Sequence, residues 1–227
     1  MEKENKGRLI VVEGACDGIG KSTQYSLLKE SLEKDGFIVT NHHFPSYGEY
    51  QAAPVERYLH GEFGKPSENT PEVINDLYAI DRFVTWNEQL KPKYDEGGII
   101  LLDRYTTSSL IYQSALIDRE EDKIRFIDYV NDKEYAKYGI KSPDQVIFLT
   151  APFELVTELR NARKVNDGVA NDIHERDLDF MKKVYDSAQF VAEYLNWDKV
   201  ICNHANNMRT INEIHEEAYG LVRKRMQ

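Results

Sequence analysis

The run Leu9–Gln24, LIVVEGACDGIGKSTQ, restricts the fold of this chain more than any other stretch. Four apolar, mostly β-branched residues end in a glycine-rich turn, and the turn runs into Lys21-Ser22-Thr23 and a helical pattern. Strand, loop and helix in that order read as a phosphate-binding loop. Glycines let backbone N–H groups turn inward around phosphate oxygens, and the new helix points its positive end at the anion. Lys21 then supplies a mobile cation for the β and γ phosphates, and the Ser22 hydroxyl is placed to ligate Mg²⁺. The strict spacing wants a glycine where Ala15 stands, and Gly14 comes one residue early, so the loop carries one extra residue. A chance glycine-rich turn is the alternative reading.

The pattern of the whole chain agrees with an α/β fold. Its 227 residues suit one domain, residues 1–227, with a short charged lid over about 160–176. Residues 9–13 read as a buried parallel strand, Lys21 to about Lys34 as an amphipathic helix, and Phe37–Phe44 as a second strand. Pro45 to Gly48 is a loop, Gln51–Leu59 a short helix, and Thr70-Pro71-Glu72 the capped start of a long helix to about Tyr94. Ile99–Leu102 is a third strand, and Ser108–Ile117 and Glu121–Tyr135 are helices. Val146–Thr150 is a fourth strand, and a helix begins at Pro152. Asp177–Leu195 is a helix, Lys199–Cys202 a fifth strand, and Thr210–Arg225 the closing helix. Alternating strands and helices imply an α/β fold with a five-stranded parallel sheet flanked by helices on both faces, opened by the phosphate-binding loop (P-loop).

Composition excludes several classes. A net charge of −10 argues against a nucleic-acid backbone as partner and requires locally clustered cations for any anionic substrate. No apolar run is long enough to span a bilayer, and the charged N-terminus lacks a signal-peptide core. Cys16 and Cys202 are the only cysteines, so the cytoplasm is the expected compartment. The six histidines show no metal-ligand spacing and read as structural or surface residues.

In such a sheet, ligands bind beyond the carboxyl ends of the strands, where the phosphate loop, the Pro45 turn and Asp103-Arg104-Tyr105 all fall. Asp103 can hold Mg²⁺ or its waters, or cap a helix. Arg104 can clamp a phosphate bidentately, or form a surface ion pair. Together these residues resemble the thymidylate (dTMP) kinase family. The loop matches Glu-Gly-x-Asp-x-x-Gly-Lys-Ser/Thr-Thr through Glu13-Gly14 and Asp17 to Thr23, around the extra residue. Phe44-Pro45, Tyr78 with Arg82 four residues on, Asp103-Arg104-Tyr105, Ser108 and Tyr112-Gln113 follow in the family's order.

The resemblance implies roles. ATP is expected against Asp17, Gly18, Ile19, Gly20, Lys21, Ser22 and Thr23. The acceptor dTMP is expected against Asp17, Phe44, Pro45, Tyr78, Arg82, Arg104, Ser108, Tyr112 and Gln113. Asp17 would bond the sugar 3′-hydroxyl. Tyr78 would stack on the pyrimidine, although helical spacing alone also suits a core aromatic. Arg82 would donate to thymine O4 and clash with the amino group of cytosine. Tyr112, under the sugar, would leave no room for a 2′-hydroxyl. Catalysis would rest on Lys21, Asp103, Arg104 and the lid arginines Arg160 and Arg163, with Lys164 and Arg176 nearby, and Mg²⁺ on Ser22 and Asp103. Gly18 stands where some members carry a loop arginine, so the chain looks like the lid-arginine type. Ser46-Tyr47 stands where many relatives place an arginine, which shifts weight onto Arg104. A homodimer is usual for the family. A deoxynucleoside kinase of related fold, with Glu13 or Asp17 as general base, and an inactive nucleotide-binding paralogue remain as rival readings.

Overall fold

The computed structural model describes residues 7–15, 18–158 and 178–226. Asp17 and Cys16, and the expected lid with Arg160, Arg163, Lys164 and Arg176, lie outside the described residues. Five parallel strands form one sheet: β1 (Arg8–Gly14), β2 (Val39–His43), β3 (Ile99–Asp103), β4 (Gln145–Thr150) and β5 (Asp198–Ile201), in the order β2-β3-β1-β4-β5. The central strands β1, β3 and β4 are almost wholly buried, as expected of a sheet covered on both faces, whereas β2 at the edge is half-exposed. A small antiparallel hairpin, β6 (Asn203–His204) and β7 (Asn207–Met208), follows β5.

Side chains along β1 alternate between the faces. Ile10 and Val12 pack with Leu28 and Leu32 of α1 (Lys21–Lys34). Leu9 and Val11 pack on the other face with Ile100, Leu102 and Tyr105. The second face is closed by α3 (Pro71–Thr85), which follows α2 (Ala53–Leu59), and by α5 (Thr106–Ser114) and α6 (Glu120–Asn131). A helical segment at residues 153–158, α7, precedes α8 (Leu178–Tyr194); α9 (Ile211–Met226) ends the chain and packs on α1.

The elements depart from the sequence expectation in four places. Phe37 and Ile38 are exposed and β2 begins at Val39, because only from there does the strand run alongside β3. The long helix is interrupted by a π-turn at Trp86–Leu90 and resumes as α4 (Lys91–Asp95). Pro92 supplies the reason, since it has no N–H to donate and its ring would strike the preceding turn of an unbroken α-helix. The Glu121–Tyr135 helix likewise ends in a π-turn, Asp132–Lys137, while the Ser108 helix is shifted to start at Thr106.

Candidate active site

Strand β1 delivers the phosphate loop. Gly20, with φ 95°, sits in the left-handed region as the residue before α1, and Gly18, with φ 99°, does the same. A side chain at either would strain the backbone at the point where it must turn into the helix. Lys21, the first residue of α1, is buried, and its ammonium is ion-paired with Asp103 at the end of β3. The second Asp103 oxygen accepts from His43 Nδ1 at 3.1 Å. Burial by itself would raise the Asp103 carboxyl, but the His43 hydrogen bond and the Lys21 charge outweigh it and hold the group well below the usual carboxylate range. Ser22 is exposed and Thr23 partly buried, both in the first turn of α1, and Ile19 is buried beneath the loop.

Beside this loop, a pocket opens between the end of β2, α3 and α5. Phe44, Pro45, Tyr78, Arg82, Arg104, Ser108, Tyr112 and Gln113 all line it, together with His43, Tyr47, Tyr105 and Ser109. Every residue the sequence reading grouped around an acceptor nucleotide is therefore on one wall or another, apart from Asp17, which lies outside the described residues. Tyr78 is half-buried and meets Tyr58 edge-on, with ring centroids 6.3 Å apart, so it faces the pocket instead of an aliphatic interior.

Arg104 adopts φ 67°, a left-handed conformation that a residue with a Cβ adopts at a cost and that its surroundings must offset. Its N–H donates to Val12 O at 3.4 Å, and its guanidinium lies 5.5 Å from the Tyr112 ring centroid. This turn swings the side chain of Arg104 away from β3 and into the pocket. The Phe44-Pro45 bond is cis, and the loop it opens is tied to α3: Ser46 N donates to Asp81 Oδ2 at 2.8 Å, and the Ser46 hydroxyl lies 3.1 Å from Thr85 Oγ1.

The floor of the pocket is polar. Arg82 is only 2% exposed; its Nε and Nη2 donate to the two oxygens of Glu134, at 2.7 Å each, and Nη2 also donates to Asn75 Oδ1 at 3.1 Å. Nη1 makes no hydrogen bond with a described residue. Gln113 Oε1 and Ser109 Oγ, one turn apart on α5, are buried and have no partner among the described residues. A donor and an acceptor thus stand free on the same pocket.

The linear pattern says little about the partners of three residues. His43, one of the six histidines read as structural or surface residues, lines the pocket and holds Asp103. Glu13, buried at the end of β1, accepts from Thr107 Oγ1 at 2.8 Å and Ser108 Oγ at 2.7 Å, fixing the start of α5. Glu134 carried a signal: it falls four residues after the buried Val130, on the apolar stripe of its helix, where an acid needs a partner.

A family model described as thymidylate kinase matches residues 12–218. The chain belongs to the thymidylate kinase family. A thymidylate kinase of Exiguobacterium sp. is 33% identical over 181 residues, covering 79% of this chain and 78% of that protein. A probable thymidylate kinase of Caldivirga maquilingensis is 30% identical over 215 residues, 92% of this chain and 94% of that one. The solved thymidylate kinase of Candida albicans superimposes with a TM-score of 0.71 over 97% of this chain and 93% of its own, at 20% identity, a likeness of fold. The phosphate loop and the pocket both lie within the matched thymidylate kinase region.

Proposed function

We propose that this protein transfers the γ-phosphoryl group of ATP to dTMP, giving dTDP for nucleotide biosynthesis. The observation that carries the choice of base is that one pocket is lined both by Arg82, whose Nε and Nη2 are committed to Glu134 and Asn75 and leave Nη1 over, and by Gln113, whose buried Oε1 has no partner among the described residues. Thymine presents a carbonyl at O4 and an N–H at N3, which complement that donor and acceptor; cytosine presents an amino group and a bare nitrogen, which oppose both. Tyr78 supplies a stacking face worth about 1–3 kcal/mol. The thymine methyl itself gives only ~1–3 kcal/mol of preference, so dUMP is a weaker substrate and not an excluded one.

Catalysis in this reading is alignment and charge neutralisation without a covalent intermediate. Main-chain amides from Gly18 to Lys21 wrap the ATP phosphates, and Lys21 moves from Asp103 onto the β and γ groups. Arg104 clamps the acceptor phosphate. Arg160 and Arg163, outside the described residues, are the candidates to supply further charge to the transferring group, worth 10³–10⁵ in rate where such an arginine acts. The Ser22 hydroxyl and the Asp103 carboxylate are hard oxygen donors that fit Mg²⁺, and no cluster of three His, Cys, Asp or Glu among the described residues offers a complete protein cage. Held by Ser22 and Asp103, Mg²⁺ would supply positive charge that offsets the charge of the phosphates.

The proposal includes one domain, a homodimer and a cytoplasmic setting. Val73, Ile80 and Phe83 are exposed along one side of α3, which suits packing of that helix across a two-fold. No helix among the described residues is long and apolar enough to cross a membrane. The deciding experiment gives the protein Mg²⁺ and ATP with either dTMP or thymidine. Formation of dTDP from dTMP, with thymidine inert, supports the reading. Turnover of thymidine alone sinks it in favour of a nucleoside kinase, and binding of both nucleotides without dTDP formation sinks it in favour of an inactive paralogue.

A further inference from the structure

We propose that Glu134 is a positioning residue for base selection: it fixes the Arg82 guanidinium in one orientation and neutralises it, so that Nη1 donates to a neutral ring carbonyl and does not act as an anion site. The inference rests on the reading of the pocket as a dTMP site.

A guanidinium has five N–H groups in a rigid plane. Three are committed here: Nε to Glu134 Oε2, and Nη2 to Glu134 Oε1 and Asn75 Oδ1. Asn75 Nδ2 closes the cluster by donating to Glu134 Oε1 at 3.1 Å. Arg82, Glu134 and Asn75 are at most 2% exposed, so water cannot substitute for any of these bonds. The two remaining N–H groups sit on Nη1, and Arg82 lines the pocket. The plane of the donor is thereby set before any ligand arrives.

Glu134 reaches Arg82 because of the π-turn Asp132–Lys137, which adds a residue to the helical turn and re-aims the side chains on it. The same turn is clamped to α3 by Lys133, ion-paired with Asp76 and lying 5.3 Å from the Tyr129 ring centroid. Charge matters as much as direction. A lone guanidinium at the pocket floor would attract the monophosphate and invite reversed binding. Paired with Glu134, it is locally neutral, and Arg104, which lines the same pocket, is left to take the phosphate.

The test compares wild type with Glu134→Gln, Glu134→Asp and the double variant Arg82→Gln/Glu134→Gln. It uses thermal unfolding and steady-state kinetics on dTMP and dCMP. Glu134→Gln is expected to raise the dTMP KM roughly 10–100-fold, to change kcat less than about threefold, and to lower the dTMP-over-dCMP ratio by a similar factor. Glu134→Asp keeps the charge and the fold but withdraws the carboxylate by one methylene. It is expected to show the same split more weakly, which keeps the test decisive where the Gln variant does not fold. The double variant is expected to regain stability through a neutral pair while the base ratio stays lost. An unchanged KM and base ratio in Glu134→Asp and in any folded Glu134→Gln protein, or a base ratio restored in the double variant, overturns the proposal. Wild-type protein that does not turn over dTMP at all fails the dTMP reading itself, a separate result from active wild type with indifferent variants.

Discussion

Asp103→Asn removes the charge from a carboxylate that is 6% exposed and paired with Lys21, itself 9% exposed. The variant leaves a buried ammonium without its anion, and taking one partner from a buried pair destabilises by about 3–5 kcal/mol. His43, on the exposed rim, adds little to that figure. In a chain of this length each kcal/mol moves Tm by about 2–4 °C, so the ligand-free variant should melt roughly 6–20 °C below wild type. ATP changes the comparison. In the wild type its phosphates must draw Lys21 off Asp103, whereas in the variant Lys21 is unattached, so ATP in the presence of a chelator should stabilise the variant more. The gap should also depend on pH. Asp103 lies below its ordinary range in the folded protein, so its contribution is complete above the unfolded value of about 3.9 and fades as pH falls towards the lower folded value. Differential scanning calorimetry at neutral pH and below about pH 4, each with and without ATP, reads all three effects. Equal melting temperatures for wild type and variant at neutral pH, or a gap indifferent to ATP, would refute the pairing argument.

Lys21→Ala should lower kcat by about 10³-fold or more while circular dichroism shows an intact fold; near-normal turnover would remove Lys21 from the phosphates. Arg104→Ala should cut kcat/KM for dTMP by roughly 10²–10³-fold and leave ATP affinity, read by calorimetry, almost unaltered. Chelation of divalent cations should abolish dTDP formation, and added Mg²⁺ should restore it. Size-exclusion chromatography should return a dimer, and Phe83→Lys on the exposed side of α3 should shift it towards monomer.

Much of this protein is written in local patterns. The apolar run before Gly14, the Gly-Lys-Ser turn and the alternation of strand and helix are short-range features, and backbone sterics with hydrophobic periodicity convert them directly into a parallel α/β sheet with a phosphate loop at its centre. The family was legible for the same reason, since its motifs are contiguous or lie a few residues apart. What the linear pattern could not supply is the company each residue keeps. His43 holds Asp103 across two strands that are adjacent only in the folded sheet. Glu134 meets Arg82 from 52 residues away, and only because a π-turn re-aims it. The left-handed turn at Arg104, which swings that guanidinium into the pocket, is enforced by the surrounding packing against its own preference. Sequence alone determined the fold and the chemistry of the loop, because those follow from near neighbours. Tertiary structure decided which polar groups are paired and which are left facing a ligand, because burial and partnership depend on contacts between residues far apart in the chain.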